Sequence, residues 1–232
     1  MSGCTATFYA AMGLLSPALA FIIIGAVFDF FDGMAARLLH VSSPIGKELD
    51  SLADVVTFGV APSMMVFVWL TSYIPTGHLY FVPFVAFLMA AFSALRLAKF
   101  NLDERQVMGF IGLPTPANAL FWGSLLTAWG RNIGAFPTAV PIVIVMLLLS
   151  CYLLVSEIPM FALKFKTWGW QGNQVKYLFL ISCLPLLWFF GVGSLAVIIA
   201  WYVVLSVVTA KAQKNNHADR QAQEPASANP EP

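Results

Sequence analysis

Charge is scarce in this 232-residue sequence. Lys, Arg, Asp and Glu make up only 10% of it, while 59% is hydrophobic; soluble domains carry roughly 25% charged residues. Too few charges remain to cover a water-facing surface, so lipid is the expected solvent. Cysteine and histidine are equally sparse, at three each. Cys4, Cys151 and Cys183 lie far apart, with neither CxxC spacing nor nearby histidine, which argues against zinc or redox chemistry. They read as small hydrophobes. The net charge of +1 says nothing about nucleic acid, but no basic stripe is present, so nucleic acid is not expected as a partner. The opening Met-Ser-Gly-Cys has no basic n-region, so no cleavable targeting segment is expected.

The sequence does have apolar length. A membrane-crossing helix needs about 20 mostly apolar residues, and such stretches recur at roughly 3–15, 17–39, 46–72, 79–100, 114–130, 137–163, 175–190 and 192–211. The first is too short to cross alone, as if its helix began ahead of residue 1. Ser42-Ser43-Pro44, Pro75-Thr76-Gly77, Gly112-Leu113-Pro114 and Gly191-Val192-Gly193 punctuate the breaks. The expectation is an all-α polytopic bundle of about eight transmembrane helices, the last two of which could form one bent helix. Residues 1–211 form a single membrane domain in this reading.

Basic residues set the orientation. Eleven of the twelve fall on one side of the alternating helices, Arg37, Lys47, Arg96 and Lys99 among them; Arg131 alone falls on the other. The first side is expected to be cytoplasmic, in the cell membrane. The polar tail 212–232 offers no apolar face to bury and is expected to be disordered and cytoplasmic.

Four aspartates stand out against this background. Asp29 and Asp32 are three apart near the end of the second stretch; Asp50 and Asp54 are four apart near the start of the third. Each pair shares a helix face. The short turn around Pro44 makes the two helices antiparallel neighbours, so the four carboxylates can converge. Charges near hydrocarbon are costly and usually functional, and these would repel one another without a counter-ion. Arg37 and Lys47 offset part of the charge, and Glu48 adds to it. Hard oxygen ligands suit Mg²⁺ or Mn²⁺, and two such ions about 3.5–4 Å apart would span a diphosphate. Gly33, Ala36 and Gly46 lie one turn from the carboxylates. They leave room for a bulky ligand to approach the backbone, the alternative being close helix packing. Arg37 can give a phosphate a bidentate contact or serve as an ordinary cytoplasmic anchor.

The series Asp29, Asp32, Gly33, Ala36, Arg37, Gly46, Asp50 and Asp54 resembles, spacing included, the signature of the CDP-alcohol phosphotransferase family. DSLADVVTFGVAPS from Asp50, RLAKFN from Arg96 and GLPTPANA from Gly112 look like the branch whose members make phosphatidylserine. The likeness covers about residues 1–130. It implies that Asp29, Asp32 and Asp50 bind two divalent ions, Mn²⁺ or Mg²⁺. It further implies that Asp54 completes that site and acts as general base, and that Gly33, Ala36, Arg37 and Gly46 hold the CDP moiety. CDP-diacylglycerol and L-serine are the implied substrates, the lipid bilayer the implied setting and a homodimer the implied assembly.

Other polar residues have weaker claims. Arg96 and Lys99 could take the acceptor carboxylate or a donor phosphate, or simply snorkel to headgroups. Asn101 ends the same helix. Thr115 and Asn118 could line the acceptor pocket or merely start a helix. Glu157 is left open between the site and a partner near Lys164, and His40 reads as a loop cation. Trp69, Trp122, Trp168 and Trp170 read as interfacial anchors. Rival readings are a different acceptor alcohol, such as glycerol phosphate or inositol phosphate, and a divalent-cation transporter. A transporter would set carboxylates near the midplane on several helices, often as repeats, and no repeat is visible.

Overall fold

Apolar runs bounded by Gly, Pro and Ser become helices, because a chain in lipid must satisfy its backbone polar groups internally. The computed structural model describes residues 1–40, 43–74, 80–102, 110–160 and 173–223. Helix α1 spans Ser2–Ala11 and α2 spans Leu15–Leu38. Helix α3 runs from Pro44 to Tyr73 and is interrupted by a π-helical turn at Val55–Val60. Helix α4, Val82–Leu102, opens with a 3₁₀ segment containing Pro83. There follow α5 (Thr115–Gly134), α6 (Ala139–Val155), α7 (Gln174–Phe190) and α8 (Ser194–Gln223). Two short strands, β1 (Phe110–Ile111) and β2 (Pro159–Met160), pair antiparallel.

The described chain is nearly all helix, and every expected stretch contains one. By length and apolarity, four described segments can cross a membrane: Leu15–Leu38, Pro44–Tyr73, Val82–Leu102 and Lys176–Ala210. Ala139–Val155 is apolar but shorter. The stretch expected at 137–163 ends its helix at Val155, ahead of the β2 strand and its Pro159, which cannot donate to a helical ladder. Residues 161–163 and the break at 75–77 lie outside the described residues. Helix α8 runs past residue 211 to Gln223, where Ala, Lys, Gln and Arg favour helix even without an apolar face.

The core gathers Ile22, Phe58, Met65, Leu70, Met89, Trp122, Leu126 and Leu147 from α2 through α6. Trp122 and Trp69 are core residues rather than interfacial anchors. Trp122 Nε1 donates to Ser150 Oγ (3.1 Å) and Trp69 Nε1 to Gly130 O (2.7 Å), so each ring is buried with its polar tip satisfied. Trp168 and Trp170 lie outside the described residues. Large apolar side chains of α7, such as Trp188 and Phe189, face outward, as the lipid-facing side of a membrane helix does.

Two glycine-dependent contacts shape the site. Gly112 adopts φ +75, and its N–H donates to Ile158 O (3.0 Å) while Leu113 N–H donates to Leu153 O (2.9 Å). A Cβ there would sit 2.9 Å from the carbonyls of Leu154 and Ser156, so only glycine lets the chain turn into α5 against the end of α6. Gly3 of α1 packs onto α3 so closely that a Cβ would come within 2.7 Å of Thr57 Cα.

Candidate metal and phosphate site

Ser43 starts the local structure of the site. Its Oγ accepts from Gly46 N–H (3.1 Å) and Pro44 occupies the first helical turn, the arrangement that caps a helix N-terminus. A Cβ on Gly46 would fall 2.8 Å from Ser43 Oγ, so Gly46 serves the cap as well as the space near Asp50. Helix α3 then runs back beside the end of α2. Carboxylate oxygens of Asp29, Asp32 and Asp50 lie within 4.8 Å of one another. Asp54 lines the same cavity, of about 310 Å³, together with Phe28, Ala53, Thr57, Phe58 and the start of α1. Asp29 and Asp54 are half-buried, while Asp32 and Asp50 are exposed.

This donor set suits a hard divalent cation. Carboxylate oxygens bind such ions at roughly 2.0–2.6 Å, so oxygens up to about twice that distance apart can share one ion. The separation within the cluster meets that requirement. Each half-buried carboxylate also feels the negative charge of its neighbours, a repulsion that a cation would relieve.

The other expected residues divide. Gly33 stands open: a Cβ built on it meets nothing within 4 Å, so it leaves space beside the carboxylates and is not a helix-packing glycine. Ala36 and Arg37, further along α2, are exposed and free to meet a ligand from outside. Arg96 is only 8% exposed and interacts electrostatically with Asp54. Its Nη1 donates to Thr115 Oγ1 (3.5 Å), its guanidinium lies 5.7 Å from the Phe100 ring centroid, and its Nε has no partner. Asn118, one turn beyond Thr115, is fully buried with neither amide atom bonded. Arg96 and Thr115 therefore come together, with Asn118 on the same face of α5. Lys99 is exposed and apart from them. Glu157 is exposed just before β2, and Lys164 lies outside the described residues.

Sequence reasoning overlooked Ser93, which is buried without a partner on the face of Arg96, and Thr57, which lines the cavity. Spacing of three from Arg96 and from Asp54 was the available signal.

Apolar helices long enough to cross a bilayer, with carboxylates gathered around one cavity at their ends, define an integral membrane protein with a cation-suited acidic site. The CDP-alcohol phosphatidyltransferase family profile matches residues 2–168, and the chain belongs to that family. Its relatives include the CDP-diacylglycerol–serine O-phosphatidyltransferase of Bacillus subtilis, 47% identical over 103 residues, which cover 43% of this chain and 54% of the relative. The enzyme of the same name from Mycobacterium bovis is 37% identical over 132 residues, 54% of this chain and 44% of the relative. That of Helicobacter pylori J99 is 37% identical over 122 residues, 51% and 49%. The chain thus spans about half the length of the curated relatives it matches.

Proposed function

We propose that this chain transfers the phosphatidyl group of CDP-diacylglycerol to the hydroxyl of L-serine, giving phosphatidylserine and CMP. The observation that carries the reading is the convergence of Asp29, Asp32 and Asp50 within 4.8 Å, with Asp54 on the same cavity. The activity for which the relatives are named supports serine as acceptor.

Asp29, Asp32, Asp50 and Asp54 would hold Mn²⁺ or Mg²⁺, in all two ions. Bound there, such ions supply positive charge to a diphosphate. The open flank at Gly33 and the exposed Ala36 and Arg37 receive the CDP group beside Gly46. Phe28 lines the cavity yet is 65% exposed, so acyl chains in the bilayer can adjoin the reacting phosphate. The serine oxygen attacks the phosphorus that carries diacylglycerol. Its proton passes to the Asp54 carboxylate, the new P–O bond forms, and the bond to CMP breaks with its electron pair on the departing phosphate. Preorganised charge at Arg37 favours that departure. Arg96 Nε and the Asn118 side-chain amide offer the acceptor buried polar atoms that lack partners in the protein, Thr115 adjoins them through its bond to Arg96, and the exposed Lys99 lies one turn along from Arg96. Leaving such atoms unmade costs about 1–3 kcal/mol each, which a polar substrate would offset.

In this reading residues 1–211 form one catalytic domain with eight membrane segments, α7 and α8 counting separately. The site faces the cytoplasm, residues beyond 211 extend into it, and two chains assemble as a homodimer.

The test is CMP release from CDP-diacylglycerol by the purified chain in lipid, with serine as sole acceptor. Release is expected with serine, not with glycerol phosphate or inositol phosphate, and should stop on chelation by EDTA and return with Mn²⁺. Undiminished release after exhaustive chelation contradicts the cation site; release with another acceptor alone contradicts serine.

A further inference from the structure

The half of α3 that carries Asp50 and Asp54 has no apolar anchor. Between Pro44 and Asp54 no side chain is buried, and directly after Asp54 the helix enters the π turn at Val55–Val60. Such turns shift the hydrogen-bond ladder and recur at functional sites. Something else must fix this half laterally.

A ring of three hydrogen bonds to the end of α4 does so. Asn101 Nδ2 donates to Ser51 Oγ (2.9 Å), Ser51 Oγ donates to Lys47 O (3.1 Å), and Lys47 Nζ donates to Asn101 O (3.0 Å). Each residue both gives and receives, so the ring closes. Lys47 and Ser51 are one turn apart on α3, and Ser51 directly follows Asp50. Asp54 is three residues beyond Ser51, on the same face. Asp29 and Asp32 ride on α2, outside the ring. Any shift of the ring therefore moves one pair of carboxylates against the other. The ring also aims the Lys47 ammonium at a carbonyl, which leaves the carboxylates' charge available to a cation.

We propose that Asn101, acting through Ser51 and Lys47, is a positioning residue that sets the spacing between the Asp50–Asp54 and Asp29–Asp32 pairs, and with it the cation affinity of the cluster. The inference rests on the cation-site reading above and adds residues that touch neither substrate nor ion.

The experiment titrates Mn²⁺ alone into the full chain in detergent and follows free Mn²⁺ by electron paramagnetic resonance. Thermal unfolding is measured without metal. Asn101→Ala and Ser51→Ala should each weaken Mn²⁺ binding about threefold to tenfold, the factor corresponding to one neutral hydrogen bond. The double variant should be no weaker than Ser51→Ala alone, because that variant already loses the bond that Asn101→Ala removes. Turnover of each should recover at saturating Mn²⁺, with metal-free unfolding unchanged. Wild-type Mn²⁺ affinity in both single variants overturns the proposal while leaving the cation site standing. Weakening that tracks a matching loss of metal-free stability also overturns it, in favour of a purely structural tie. A wild-type chain that binds no Mn²⁺ removes the cation site and the proposal together.

Discussion

The two halves of α3 flank a single π-helical turn, and they are held by different forces. Ala61–Tyr73 buries Ala61, Pro62, Ser63, Met65, Val66, Trp69 and Leu70. Pro44–Asp54 buries nothing and carries two of the four aspartates. One half is fixed by close packing, the other by a cap, a polar ring and the charge of Arg96. Core and chemistry are thus segregated along one helix. A substitution should affect stability in the first half and ligand handling in the second, with little crossover.

The largest expected effect tests the polar half. Asp54→Asn keeps the shape but removes the proposed proton acceptor, so CMP release should fall about 10²–10⁴-fold, the usual contribution of a general base. CDP-diacylglycerol should still bind, and thermal stability in detergent should hold; equal losses of binding and turnover would demote Asp54 from base to ligand. Next comes the packed half. Met65 is fully buried, and Met65→Ala should lower unfolding stability by about 2–5 kcal/mol while the folded fraction keeps its Mn²⁺ affinity. Lost metal affinity in that variant would break the segregation. A smaller effect is expected at Gly33, where no protein atom stands in the way. Gly33→Leu should leave unfolding unchanged and raise the KM for CDP-diacylglycerol by roughly tenfold, since overpacking a site costs about 1–3 kcal/mol. An unchanged KM would remove Gly33 from the donor site. The smallest effect belongs to the cap: Ser43→Ala should cost about 1 kcal/mol and speed hydrogen exchange over residues 44–54 alone. Acceleration throughout α3 would show that the π turn does not separate the halves.

Much of this was legible in the sequence for a simple reason. Helical register is local, so spacings of three and four placed each aspartate pair on one face, and the turn at Pro44 made the two helices neighbours. Tertiary partnership is not local. Trp69 and Trp122 have the composition of interfacial residues, and only the approach of α5 and α6 makes them core. Arg96 and Lys99 look equivalent in sequence, yet α4 turns one toward Thr115 and leaves the other outside. Nothing in VVTFGV demands a π turn. Likewise the partnership of Asn101 with Ser51 joins residues 50 positions apart, a distance at which residue type carries no pairing signal.

The contact between α1, α2 and α3 has a further consequence. Side chains added at Gly3 or Gly25 would overlap Thr57, which lines the acidic cavity, and Phe58, Ala61 and Ile22 fill the neighbouring interior. The carboxylates therefore sit above a plug. An ion arriving at them meets close-packed side chains on the inner side of the cavity. Such packing agrees with the proposed transfer of a group within the site, whereas a conduit would need an opening there.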